Sequence, residues 1–211
     1  MTPYHDIIDE LLQHGTSTLC EASKLPCALD YAIRPVWAGA AVAGPAYPLR
    51  CAPGDNLAIH IAVDAAPPGH VLVVDASGYV AGYWGEVLTV AAEARHLTGI
   101  IIDGGLRDID ALERRKFPAF ARGIGMRGTV KFHAPSVGEP IVIAGVAIAP
   151  GDLVVADTDG VMAIPQAEVA RTLEAARQRT DKEAVSMKRL LAGETTLDML
   201  GLTAHRRQPK R

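Results

Sequence analysis

The sequence has no apolar run approaching the roughly 18 residues that cross a bilayer as a helix, no CxxC pair and no excess of basic residues. Each absence removes a class of function. No membrane partner is expected. The opening Met1-Thr2-Pro3-Tyr4-His5-Asp6 lacks the basic-then-apolar order of a secretory signal, so a cytoplasmic protein is the expectation. Cys20, Cys27 and Cys51 are odd in number and widely spaced, which argues against a disulfide framework or a thiolate zinc site and for reduced, mostly buried thiols. The formal net charge is -3, yet Arg206, Arg207, Lys210 and Arg211 crowd the last six residues; without them 17 bases face 24 acids. The body is acidic. A nucleic-acid binder carries a basic footprint on its folded part, so no nucleic-acid partner is expected, and the basic tail reads as a solvated terminus.

What is present fits one globular domain: 211 residues, 49% hydrophobic and 21% charged, mean hydropathy +0.15, with 20 Gly and 14 Pro. Two short helices open the chain, the first starting at Thr2-Pro3 with Ile7, Ile8, Leu11 and Leu12 on one face and broken at Gly15-Thr16-Ser17. A strand with an irregular end is expected over Ala38 to Leu49, then a helix from Gly54-Asp55 through Val63. The pattern then becomes regular. His70 to Asp75 and Gly99 to Asp103 read as buried strands, Glu86 to Leu97 and Arg107 to Arg115 as helices, an alternation that predicts parallel strands with crossover helices. Beyond Phe117 short strands are expected at Ala119 to Ala121, Thr129 to His133, Ile141 to Ile148, Leu153 to Asp157 and Val161 to Ile164. A long amphipathic helix follows, with Val169, Leu173 and Ala176 and later Val185, Leu190 and Leu191 as its apolar positions. The reading is a single α/β domain over residues 1–211, with a core at about 38–165, a C-terminal helix at about 166–191 and a basic tail at 204–211.

The chemistry-bearing segment is Gly82-Tyr83-Trp84-Gly85-Glu86-Val87-Leu88, joined to Arg107-Asp108 through one helix and one strand. In a parallel α/β sheet, the loops leaving Asp75 and Asp103 both open at the carboxyl ends of their strands, so Glu86 and Asp108 can meet on one rim. The free backbone N-H groups of Val87 and Leu88, after Gly85, could hold an anionic oxygen. Arg107 could clamp a carboxylate at two points, and Asp108 offers a hard oxygen to Mg or Mn. The plainer alternative is a set of helix-end charges complementing the dipole. Trp84 can be a cover for the site or a packing anchor, and Asp103 a support for the site or a turn former. His60 reads as a packing or interface histidine rather than a ligand. Asp157 and Asp159 read as turn organisers. Gly123 to Gly128 satisfies GxGxxG, but a strand rather than a helix is expected after it, which disfavours dinucleotide binding. No lysine has a context that would commend it as an imine former.

Six segments together resemble the RraA-like superfamily over about residues 40–185: Gly54 to His60, Pro68 to Asp75, Gly82 to Glu86, Asp103 to Asp108, Phe120 to Gly123 and Pro150 to Val161. That superfamily holds class II pyruvate aldolases acting on 4-hydroxy-4-methyl-2-oxoglutarate and 4-carboxy-4-hydroxy-2-oxoadipate, and RraA proteins that inhibit ribonuclease E. The resemblance implies a swivelling β/β/α fold assembled as a homotrimer or hexamer, with sites between subunits. On the aldolase pattern, Asp108 matches the aspartate that binds a divalent metal, Mg or Mn. Arg107 matches the arginine on the carboxylate of a small oxo-acid substrate, and Val87 and Leu88 the assisting backbone amides. Glu86 stands where many relatives have Asp, and Glu183 resembles a carboxylate supplied by the adjacent subunit. The implied activity is metal-dependent cleavage of a 4-hydroxy-2-oxo acid, with oxaloacetate decarboxylation as a close variant; the alternative is a non-catalytic RraA-like protein that binds an RNA-processing enzyme.

Overall fold

The computed structural model describes residues 5–206. The expected Thr2-Pro3 helix start and the tail residues Arg207, Lys210 and Arg211 lie outside the described residues. Helix α1 (His5–Ser23) leads through β1 (Arg34–Pro35) and β2 (Val42–Arg50) to α2 (Leu57–Ala65), β3 (Val71–Asp75), α3 (Glu86–Ala94), β4 (Gly99–Leu106), α4 (Ile109–Arg115) and β5 (Ala119–Ile124). Then come β6 (Ser136–Val137), the pair β7 (Ile141–Ile143) and β8 (Val146–Ile148), β9 (Leu153–Ala156), β10 (Val161–Ile164), α5 (Val169–Leu191) and α6 (Thr196–Met199). The fold is α/β, with helices at the amino end and a long one at the carboxyl end.

The main sheet runs β1-β5-β4-β3-β2-β9-β10, with β6 also on β2. Neighbours β2, β3, β4 and β5 are parallel, as the strand–helix alternation predicts, whereas β9 and β10 are antiparallel additions. Strand β2 joins the two regimes. Its first half, Val42 to Pro45, pairs with β9 and its second half, Ala46 to Arg50, with β3. The change of partner falls at Pro45, which has no N-H to give to either ladder; the next N-H, on Ala46, goes to the Asp152 carbonyl at 2.8 Å.

Alternation along the parallel strands sorts the core. Leu72, Val74, Ile100 and Ile102 face α2, α3 and Trp84, while Val71, Val73 and Ile101 face Phe120 and the β7–β8 hairpin. A third cluster seats α1 and the first half of α5 on β9 and β10 through Leu11, Leu19, Val155, Met162 and Leu173. Val169, Leu173 and Ala176 are buried, but Val185, Leu190 and Leu191 are exposed, so only the first half of α5 packs on its own chain. Among the described residues, no helix is long and apolar enough to cross a membrane.

Several elements differ from expectation for local reasons. Helix α3 stops at Ala94 because His96 turns left-handed (φ 58°) and Leu97 N-H returns to the Ala92 carbonyl. Helix α4 begins only at Ile109, since Asp108 is itself left-handed (φ 63°). Ile141 to Ile148 is a hairpin rather than one strand, turned by left-handed Ala144 and Gly145. Thr129 to His133 is not a strand. Val130 exchanges hydrogen bonds with Gly54 and Asn56, and the N-H groups of Phe132 and His133 go to the Asp55 carboxylate, so no neighbouring strand serves this segment.

The break in α1 falls where expected, at Gly15 (φ 74°, ψ 162°). Thr16, which opens the second half, donates its backbone N-H to Asp157 Oδ2 at 2.7 Å and its hydroxyl to Oδ1 at 2.6 Å. Asp157 is therefore a capping carboxylate borrowed from the β9–β10 turn. Replacing it with alanine leaves the Thr16 donors without their acceptor. We expect Asp157→Ala to lower unfolding stability by about 1–2 kcal/mol in urea denaturation, and a midpoint equal to that of the parent would contradict the cap.

Candidate active site

The site grows from the carboxyl end of β4. Past Gly104 the chain continues as Gly105-Leu106-Arg107 between two neighbours. Tyr83 N-H donates to the Gly105 carbonyl (3.2 Å) and Arg107 N-H to the Trp84 carbonyl (2.9 Å) on one side, and Gly125 N-H donates to the Leu106 carbonyl (3.0 Å) on the other. The Gly82–Gly85 loop and the β4 end are thus zipped together before α3 and α4 begin.

Gly85 makes the closest approach. A Cβ placed there would lie 2.4 Å from Asp108 Oδ2, so only glycine fits without moving the carboxylate. With that space open, Asp108 Oδ2 accepts the Glu86 N-H at 3.0 Å. Thr89 N-H takes the Gly85 carbonyl, and the N-H groups of Val87 and Leu88 find no acceptor among the described residues. They are the free donors of a helix start. Arg107 Nε lies 3.8 Å from Asp108 Oδ2, and both side chains are about half exposed, towards a cavity of about 330 Å³. Gly85, Val87, Leu88, Arg107 and Asp108 all line it.

Two other anticipated residues stand elsewhere. The Glu86 carboxylate is not in the cavity wall; Arg115 Nε of α4 holds it at 3.3 Å while Arg115 Nη1 reaches Glu93 at 2.8 Å. Glu183 lies on α5 in a separate cleft shared with Glu21, 2.8 Å from Arg179 Nε. Trp84 is fully buried, donates Nε1-H to Thr89 Oγ1 at 2.8 Å and stacks on Phe117 at 5.8 Å, which makes it an anchor beneath the site rather than a cover. No helix follows Gly123 to Gly128, so that glycine pattern lacks the phosphate-facing helix start a dinucleotide needs. Asp157 and Asp159 organise their turn, Asp159 N-H donating to Asp157 Oδ1. Cys27 and Cys51 are buried and Cys20 partly so. Burial pushes the Cys51 thiol up to about 12, which leaves it inert.

The cavity lining also holds Asn56 and Lys131, which the sequence did not single out, and His60, expected only as a packing or interface histidine. Asn56 is 4% exposed; its amide donates to the Tyr83 carbonyl at 2.9 Å, while its buried Oδ1 has no partner among the described residues. His60, one turn further along α2, has a buried Nε2 with no partner among the described residues, and burial, then the Lys131 cation, holds its pKa below the usual imidazole value. It faces the cavity as the neutral ring. The i, i+4 spacing of Asn56 and His60 was a readable signal. Lys131 carried none, because its loop is brought in by long-range bonds: Val130 to Gly54 and Asn56, and Asp55, which accepts Leu57 N-H through Oδ1 and Phe132 and His133 N-H through Oδ2.

Comparison with known proteins places the chain in a family. The sequence profile of the RraA-like family, described as Aldolase/RraA, matches residues 16–163. A Halalkalibacterium halodurans protein named "Putative 4-hydroxy-4-methyl-2-oxoglutarate aldolase" is 34% identical over 181 residues, spanning 85% of this chain and 86% of its own. An uncharacterized Pseudomonas syringae protein of known structure superposes with TM-score 0.78 at 29% identity, over 90% of this chain and 94% of its own. Streptomyces coelicolor RraAS2, titled an unusual member of the RNase ES inhibitor RraA protein family, superposes with TM-score 0.79 over 88% of this chain and 98% of its own; at 24% identity it shows the fold alone.

Two outcomes follow from this geometry. Burial of Asp55 by itself would raise its pKa, but the three backbone N-H groups and the nearby His133 outweigh it and hold the carboxyl below its usual value. A depressed folded pKa contributes stability that is present above the unfolded carboxylate value and lost as pH falls through the folded one. Asp55→Asn is therefore expected to be less stable than the parent at pH 7, with the gap closing on acidification; a gap independent of pH in denaturation series would exclude the ionised staple. Gly85→Ala should fold and yet weaken binding of a small carboxylate by more than about tenfold, because the methyl must displace Asp108; calorimetry with oxalate as the probe reads this directly.

Proposed function

Because the chain belongs to the RraA-like (Aldolase/RraA) family, we propose that it is a divalent-metal-dependent lyase cleaving a 4-hydroxy-2-oxo acid to pyruvate and a second oxo-acid. Decarboxylation of oxaloacetate is a companion activity of the same site. The observation that carries this reading is the adjacency of a cation, an acid and two free backbone donors on one cavity wall: Arg107, Asp108 and the N-H groups of Val87 and Leu88.

Cleavage removes the C4 hydroxyl proton, breaks the C3–C4 bond, leaves a carbonyl at C4 and moves the bonding pair towards the 2-oxo oxygen; a proton returned to C3 completes pyruvate. Arg107 holds the C1 carboxylate at two points and fixes which face of the substrate meets Asp108. The Val87 and Leu88 amides, at the positive end of α3, stabilise negative charge on the oxygen they face. Asp108 is the one carboxylate of the cavity wall among the described residues, which suits a hard cation that completes its shell with substrate and water rather than a cage of protein ligands. Such a cation, Mg or Mn, would supply Lewis-acid stabilisation of the developing charge. With Glu86 engaged by Arg115, the base within reach is a water beside Asp108. Lys131 and the neutral His60 opposite make a cationic, hydrogen-bonding end for the remainder of the substrate.

Glu183 enters this scheme from outside the chain. The exposed apolar residues Val185, Met187 and Leu191 suit the second half of α5 to another subunit, and in a homotrimer or hexamer Glu183 would approach a neighbour's cavity. The protein is read as cytoplasmic, with a small oxo-acid as its partner.

Pyruvate release from a series of 4-hydroxy-2-oxo acids and from oxaloacetate, with and without chelator, tests the proposal. Activity should vanish on chelation and return with Mg or Mn. No release from any substrate would favour the binding-protein alternative. Asp108→Asn should cut turnover by about two orders of magnitude or more with the fold retained. Arg107→Lys should weaken pyruvate inhibition by about tenfold, since an ammonium keeps the charge and loses the planar fork. Mixed oligomers of inactive Glu183→Ala and inactive Asp108→Asn subunits should recover activity, and verified mixtures that stay silent would return Glu183 to its own subunit.

A further inference from the structure

The pairing of β4 with β5 is irregular at one place. Ile102 pairs with Ala121, but the next pair is Gly105 with Gly123, so Asp103 and Gly104 together oppose the single residue Arg122. This is a β-bulge, two residues before the strand delivers Arg107 and Asp108. On the other side of β4 the ladder is regular through Asp75 and Asp103. The irregularity belongs to the β4–β5 seam alone.

The bulge is pinned by its own residues. The Arg122 Nε-H donates to Asp103 Oδ1, and Arg122 Nη1 lies 3.6 Å from Asp30 Oδ1, so the guanidinium bridges two acids. Asp103 is 7% exposed, and its carbonyl accepts Gly78 N-H at 2.9 Å. Gly104 has no room for a side chain: a Cβ would sit 2.8 Å from the Ala76 Cβ. Directly beyond the bulge, Gly105 and Arg107 make the hydrogen bonds that zip β4 to the Gly82–Gly85 loop, while the Leu106 carbonyl accepts from Gly125 on the other side.

Register decides where side chains point. A slip of one residue reverses the face of everything after it, and bulges beside functional sites re-aim the residues that follow. We propose that the Asp103–Arg122 pair is a positioning device that holds this bulge in register and thereby aims Arg107 and Asp108 into the cavity. Asp103 and Arg122 touch no ligand; they act through the strand between them and the site. The assignment takes Arg107 and Asp108 as the binding pair of the proposed lyase, but the device itself is a property of the backbone.

The neighbouring strand supplies an internal control. Asp75, 8% exposed, pairs with Arg50 Nε at 3.1 Å at the same level of the sheet, in a ladder with no bulge. Amide hydrogen exchange and turnover are measured on the intact protein and on Asp103→Asn, Arg122→Lys and Asp75→Asn. Asp103→Asn should speed exchange in residues 104–108 and lower turnover, each by at least about tenfold, with Arg122→Lys intermediate because it keeps the charge and loses the two-acid bridge. Asp75→Asn should leave exchange in residues 104–108 unchanged and turnover within about twofold. In an Arg107→Lys background, Asp103→Asn should cost less than it does in the parent, since part of its effect passes through Arg107.

Unchanged exchange in residues 104–108, an equal loss of turnover in Asp75→Asn, or full additivity with Arg107→Lys would each overturn the proposal. Should Asp103→Asn fail to fold, Arg122→Lys is judged by the same readings. A parent protein that releases no pyruvate speaks against the lyase reading, while the exchange comparison still decides the positioning role.

Discussion

The hydrogen bond from Glu86 N-H to Asp108 Oδ2 is the contact on which the rest of the site depends. It requires the start of α3 to approach the end of β4 more closely than any side chain at residue 85 would permit. Everything nearby serves that approach. Trp84 is held beneath by Thr89 and Phe117, Tyr83 is tied to Gly54 and Asn56, and the strand end is hydrogen-bonded on both sides. Asp108 adopts a left-handed backbone, a conformation that aspartate tolerates better than most residues and that cuts α4 off from β4. The strand end therefore presents Arg107 and Asp108 as adjacent side chains outside the helix.

The electrostatics of the cavity follow from this frame. One wall carries a cation, an acid and two backbone donors; the other carries Lys131, a neutral imidazole and an amide oxygen without a partner. Among the described residues of the lining, Arg107 and Lys131 outnumber the one carboxylate, so the cavity is locally positive even though the whole chain is acidic. The second wall exists because one buried carboxylate, Asp55, gathers three backbone donors from two segments far apart in sequence. A polar staple does here what a strand would have done with a ladder.

The parallel unit was legible because its signals are local and repeated. Buried runs at residues 70–75 and 99–103, separated by helix-period segments, leave little choice but parallel strands with crossovers. The glycine at 85 and the Arg107-Asp108 pair were legible for the same reason, since strand ends in such a sheet share one rim. Thr129 to His133 was misread because β-branched and aromatic residues describe a side-chain environment, whereas this segment's backbone is satisfied by a loop and a carboxylate. The single strand expected over Ile141 to Ile148 missed a turn in which Ala144, not only glycine, is left-handed.

What the sequence determined by itself is thus the order and type of the main elements, the break at Gly15 and the identity of the groups on the first cavity wall, all set by period, by glycine and by the ends of consecutive strands. Tertiary structure decided the rest. It engaged Glu86 with Arg115 and set Glu183 in another cleft. It brought Asn56, His60 and Lys131 into one cavity with Arg107, and placed a bulge ahead of Arg107 and Asp108. The physical reason is one of range: periodicity and turn chemistry act over a few residues, whereas ion-pair choice, strand register and the closing of a loop by a distant carboxylate exist only after the chain has folded.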